Sequence, residues 1–120
     1  MKIKALMPSL REKKRYLAFE VITDGNPASH EVDSSIRRGL LRYLGTLGTA
    51  KAGASVMKDQ YDTQSRKGII RVAHTSTDQV SASLALINEV GSRKAMIRTV
   101  GASGILKKAR DNYLKKDERC

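Results

Sequence analysis

The stretch RYLAFEVIT, residues 15–23, alternates. Leu17, Phe19 and Val21 fall on one side of an extended chain, and Tyr16, Ala18, Glu20 and Ile22 fall on the other, which is the period of a strand lying against a core. TDGNPAS, residues 23–29, carries Asp-Gly and Asn-Pro and must turn. The period then changes: Val32, Ile36, Leu40, Leu44 and Leu47 recur every three or four residues, with Arg37, Arg38 and Arg42 off that line. This predicts an amphipathic helix with Ser29 as its cap and Gly45 or Gly48 at its end.

Alternation returns in TAKAGASVMKDQY, residues 49–61, and predicts a second strand. The polar DTQSRKG, residues 62–68, joins it as a hairpin to GIIRVAH, whose β-branched residues favour a strand. In TSTDQVSASLALINEVG, residues 75–91, Thr75 and Asp78 are spaced close to a capping box, Val80, Leu84 and Ile87 share a helical face, and Gly91 stops the run. KAMIRTVGAS, residues 94–103, reads as a strand. ILKKARDNYLKK, residues 105–116, reads as a basic amphipathic helix with Ile105, Leu106, Ala109 and Tyr113 turned inward.

The order is β-α-β-β-α-β plus a helix, so the expected class is α+β: a ferredoxin-like or RRM-like sandwich with an added C-terminal helix. The 120 residues suit a single domain, expected as one unit with a basic N-terminal arm over 1–14 and the last helix over 105–116. Two helices can cover one face of the sheet. The other face is left for a partner or for the last helix.

Charge narrows the function. The net charge is +11 from 23 Lys and Arg against 12 Asp and Glu, a field that favours a polyanionic partner. Residues 1–15 hold six cations against one acid, and residues 105–120 hold six against three. No apolar run approaches a membrane span, and the N-terminal apolar stretch stops at ALM before Pro8, without the continuous core of a secretory signal; a cytoplasmic location is the expectation. Cys120 is the only cysteine and the last residue, so it forms no internal disulfide and receives no role.

An independent catalytic set is not visible. His30 and His74 could serve as acid and base of a metal-free nuclease, but one falls in a predicted loop and the other ends a predicted strand. The carboxylates form no close pair, no His or Cys spacing suits zinc, and the glycine-rich GTLGTAKAG and VGASG match neither common phosphate-loop pattern. Single-strand reading by stacking is also disfavoured. The RNA-recognition pattern wants aromatics on the third strand, whereas Lys67-Gly68-Ile69-Ile70-Arg71-Val72-Ala73-His74 keeps Lys67, Gly68 and Val72 but puts Ile69, Arg71 and His74 at the aromatic places. What remains is phosphate contact to a structured RNA, with aliphatic sheet surface for protein.

PSLREKKRYLAFEV, a helix ending RRGLLRYLGTLG, a strand with AKAGASV, then RKGIIRVAH and a second helix together resemble the archaeal ribonuclease P protein component 2, or Pop-five, family. The most specific part is LREKKRYLAFEV. The resemblance implies a protein subunit of the ribonucleoprotein that removes the 5′ leader of precursor tRNA. It implies that catalysis resides in the RNA subunit with its own divalent metal ions, that no cofactor is bound by the protein, and that the chain is not active alone. It implies as partners the ribonuclease P RNA and the Rpp-thirty protein subunit, with self-association inside a hetero-oligomer as a further expectation and precursor tRNA as substrate of the complex.

Three other readings stay open on the residues alone: a ribosomal-type binder of structured RNA, a protein-interaction module with incidental charge, and a stand-alone nuclease. The expected RNA-binding residues are Arg11, Lys13, Lys14 and Arg15 beside the first strand, with Lys67, Arg71 and Arg98 as a second patch. Lys107, Lys108, Arg110, Lys115 and Lys116 of the last helix are either RNA contacts or its solvated face.

Overall fold

The computed structural model describes residues 13–109. Strand β1 (Lys14–Thr23) is followed by helix α1 (Ser29–Ala52), the short strand β2 (Ser55–Val56), strand β3 (Lys67–Ala73), helix α2 (Thr77–Leu86), the short strand β4 (Glu89–Val90), strand β5 (Arg93–Ser103) and helix α3 (Leu106–Ala109). All pairs are antiparallel in the order β2-β3-β1-β5-β4. This is the expected α+β ferredoxin-like arrangement, with β4 added at one edge as a hairpin with β5.

The alternation of β1 builds the core as expected. Leu17, Phe19 and Val21 are buried together with Val32, Ile36 and Leu40 of α1, Ile70 and Val72 of β3, Val80 and Leu84 of α2, and Ala95 and Ile97 of β5. Phe19 lies opposite Gly68 in the β1–β3 ladder. A Cβ on Gly68 would sit 2.8 Å from the Phe19 ring, so the glycine makes room for the ring to cross the neighbouring strand. Tyr61 then stacks on Phe19, with centroids 6.3 Å apart and planes at 16°.

Helix α1 departs from its predicted length. Gly45 (φ 76, ψ 177) breaks it as expected of a glycine, but the chain resumes as helix through Ala52 and ends where Gly53 (φ 57) turns left-handed and donates its N–H to the Thr49 carbonyl. The backbone break changes the phase of the apolar line. Leu44 packs against the core, yet Leu47 is 86% exposed, so Leu47 is not part of the buried face. The cap is Ala28 rather than Ser29, and Glu31 reaches back to accept the Ala28 N–H at 3.0 Å. Asp33, nearly buried, takes Arg37 at 3.2 Å and Lys58 at 3.7 Å and ties the turn after β2 to the helix.

The second predicted strand shrinks to two residues. Helical Thr49–Ala52 takes its first part, and a short 3-10 turn, Lys58–Gln60, takes most of the rest, because small and weakly β-forming residues offer a sheet edge little to pack. Helix α2 starts at Thr77, after Ser76, which makes no side-chain cap; Thr77 Oγ1 instead donates to the His74 carbonyl at 3.0 Å. The helix ends at Leu86, and Glu89–Val90 become β4. Ile105, expected inward, is 54% exposed, whereas Ala109 is fully buried. Tyr113 lies outside the described residues.

Candidate nucleic-acid interface

The face of the sheet away from α1 and α2 carries the even positions of β1 and the odd positions of β3. Cross-strand register sets them in rows: Lys67 beside Glu20 beside Arg98, and Arg71 beside Tyr16 beside Ser103. Lys67 and Arg71 are four residues apart on β3, about 13 Å at roughly 3.3 Å per residue. Lys14 opens the same face opposite Ala73. Arg15, one residue on, points to the other face.

Folding therefore gathers Lys14, Lys67, Arg71 and Arg98 on one surface and leaves Arg15 on the opposite face of the central strand β1. Lys13 is exposed just before β1, and its carbonyl accepts the His74 N–H at 2.9 Å, fixing the point where the chain enters the sheet. Arg11 and most of the basic arm lie outside the described residues, as do Arg110, Lys115 and Lys116. Lys107 and Lys108 fall in α3, where Lys108 is exposed.

Glu20 was not anticipated as a site residue. Its Oε1 accepts from Arg98 Nη2 at 2.8 Å, so one cation of the face is already partnered. Lys67 and Arg71 make no ion pair among the described residues. The alternation of β1 places Glu20 on this face, but its meeting with Arg98 depends on the β1–β5 register, which shifts between Ala18 and Phe19. A bulge of that kind has no clear signature in the sequence.

The middle of this face is closed. Ala18 and Ile69 are fully buried although both point away from the main core, and α3 packs against β1 and β5 with Ala109 fully buried. Ile69 occupies a place where an RNA-recognition motif would present a stacking aromatic. It is covered, so base stacking there is excluded in this arrangement. The cations stand around the covered centre, suited to phosphates rather than base faces.

Arginine alone does not mark an RNA contact. Arg66, in the left-handed region (φ 59), donates from Nε to the Val21 carbonyl at 3.2 Å and from Nη1 to Asn26 Oδ1 at 3.1 Å, while its own carbonyl accepts the Val21 N–H at 2.8 Å. It is a structural strut. His30 lies in the first turn of α1, not in a loop, and His74 follows β3; the two belong to different elements and both are exposed.

A second polar feature lies on the helical layer. Arg38 and Arg42 of α1 face Asn88, Glu89 and Ser92 across a groove of about 250 Å³. The sequence places these arginines off the buried line of α1, but only the fold sets the β4 hairpin against them.

The comparisons with known proteins agree with this fold. Residues 15–114 match the model of the Rpp14/Pop5 family. Ribonuclease P protein component 2 of Pyrococcus abyssi is 39% identical over 114 residues, covering 95% of each chain, and its namesake in Methanocaldococcus jannaschii is 40% identical over 112 residues, covering 93% of this chain and 81% of that one. A chain in the cryo-EM structure of yeast ribonuclease MRP shares the fold, with a TM-score of 0.58 over 90% of this chain and 80% of that chain at 14% identity. With a family match that runs from the second residue of β1 beyond α3 and relatives this similar along nearly their whole length, the chain belongs to the Rpp14/Pop5 family.

Proposed function

We propose that this chain is a protein subunit of ribonuclease P, the ribonucleoprotein that removes the 5′ leader of precursor tRNA. The observation that carries the reading is its similarity to Ribonuclease P protein component 2 over 95% of both chains. The structure supports it with a basic rim around a closed sheet face, made of side chains fixed by strand register. In this reading Lys14, Lys67 and Arg71 contact phosphates of the ribonuclease P RNA directly, and Arg98 does so in competition with Glu20. Arg11, Lys13 and Arg15 extend the contact at the N-terminal end of β1.

The RNA subunit, with its own divalent metal ions, performs the cleavage. The protein contributes no cofactor of its own, and it neutralises and orders the RNA backbone. A protein partner, the Rpp-thirty subunit, completes the particle, and exposed Leu41, Leu47 and Leu86 supply apolar area that such a contact would bury. No helix among the described residues is long and apolar enough to cross a membrane, and the proposed location is the cytoplasm, where tRNA is processed.

The test is binding to the ribonuclease P RNA from the same source across a salt series. Replacing Lys67, Arg71 and Arg98 with Gln should flatten the slope of log affinity against log salt by about 0.7 to 0.9 for each lost phosphate contact. Replacing Arg11, Lys13, Lys14 and Arg15 should flatten it similarly. Equal affinity for an unrelated structured RNA would instead favour a general binder, and slopes unchanged in both variants would remove these residues from the interface.

A further inference from the structure

The groove between α1 and the α2–β4 connection has the parts of a ribonucleotide site, and neither the fold nor the sheet-face interface uses them. Arg38 and Arg42 stand one helical turn apart, so their guanidinium groups share one wall. Both are exposed, and neither makes an ion pair among the described residues, although Glu89 lines the opposite wall. The floor is set by Gly39. A Cβ there would lie 2.6 Å from the side chain of Ile87, so only glycine lets the helix approach this closely.

One turn before Gly39, Ser35 also lines the groove. It is 4% exposed, and its Oγ is buried with no hydrogen-bond partner among the described residues. The groove end is held by Tyr43, whose hydroxyl donates to the Leu86 carbonyl at 3.2 Å.

We infer that this groove takes one ribonucleotide unit of an RNA chain, with its phosphodiester on Arg38 and Arg42 and its ribose hydroxyl against Glu89. Among the residues that line the groove, two cations facing one carboxylate leave a single positive charge, which matches the single negative charge of a phosphodiester. A dianionic phosphate would suffer repulsion from Glu89 without using it. The carboxylate accepts hydrogen bonds only, and the 2′-hydroxyl is the donor that RNA offers and DNA lacks. Lys94 lies across from Glu89 in the β4–β5 ladder and holds no ion pair with it, so the carboxylate is available to the ribose. This inference rests on the RNA-binding part of the proposed function and adds a site on the helical layer.

The experiment is amide chemical-shift mapping on the full chain with three probes: a short single-stranded oligoribonucleotide, the DNA of the same sequence, and inorganic phosphate. RNA should shift the amides of residues 35–43 and 87–92, and DNA should bind the groove on the order of tenfold more weakly for want of one hydrogen bond to a charged group. Replacing Arg38 and Arg42 with Gln should remove the groove shifts and leave those around Lys67, Arg71 and Arg98. Glu89→Ala should bring the RNA and DNA affinities of the groove together.

Shifts on the sheet face with none in the groove overturn the inference and leave the RNA-binding reading standing. Shifts nowhere overturn the groove inference, and the salt series with the ribonuclease P RNA then decides the RNA-binding reading separately. Equal groove affinity for DNA, or for inorganic phosphate, overturns the ribose assignment, because either would make this a general anion site.

Discussion

Tyr61 stacks on Phe19 and donates its phenolic hydrogen to the Pro27 carbonyl at 3.1 Å. Burial pushes its pKa above the ordinary phenol value, with Asp62 and Glu31 adding to the rise and Arg66 opposing it. A group whose pKa is raised by folding stabilises the folded state fully below its unfolded pKa, and that contribution disappears as pH climbs through the folded value. Stability should therefore fall as pH rises above about 10, and Tyr61→Phe should lose less over the same range. At neutral pH the same substitution should cost about 1 kcal/mol for the lost hydrogen bond. Urea denaturation of both proteins at neutral and alkaline pH checks both statements, and parallel pH profiles would contradict the first.

Glu20 holds one cation of the sheet face. Because it partners Arg98, Glu20→Gln should release a cation to the RNA, raise affinity and steepen the salt slope by up to about 0.9. Arg98→Gln should do the opposite. Weaker RNA binding by Glu20→Gln would mean that the carboxylate orients Arg98 for contact and does not compete with the RNA. The cations of this face were legible in the sequence as residue types and as alternation. The acid among them became meaningful only when the bulged β1–β5 register set it beside Arg98.

Among the elements, α1 shows where periodicity stops being informative. Val32, Ile36 and Leu40 obey the helical period and are buried, and Leu47 sits on the same numerical line but faces solvent. The reason is local: Gly45 takes a φ, ψ pair that residues with a Cβ rarely adopt. Nothing lies within 4 Å of a Cβ built there, so Gly45→Ala should cost about 1–3 kcal/mol through backbone strain alone. Gly39→Ala should cost a similar, roughly 1–3 kcal/mol, for the opposite reason, since its Cβ would strike Ile87. Denaturation midpoints separate the two when Ile87→Ala is added: the second change should relieve Gly39→Ala and leave Gly45→Ala unrelieved. Strong strands and helices could be read from the sequence because apolar spacing and burial coincide there, whereas β2 and β4 could not. Each is two residues long and exists because a neighbouring strand offers it hydrogen bonds.

At the scale of the whole molecule, the architecture separates core from chemistry. One sheet face packs against α1 and α2, the other is closed at its centre by α3, and the cations are left around the rim, placed for phosphates rather than stacked bases. In the proposed function such a protein assists an RNA rather than replacing it. The most direct test is cleavage of a precursor tRNA by the ribonuclease P RNA from the same source, with this chain and the Rpp-thirty subunit added singly and together, and with the protein alone as control. Faster 5′ cleavage is expected when the RNA and both proteins are present, and none from the protein alone. Cleavage without RNA, or no effect of this chain on the RNA in the presence of the Rpp-thirty subunit, would contradict the proposed function.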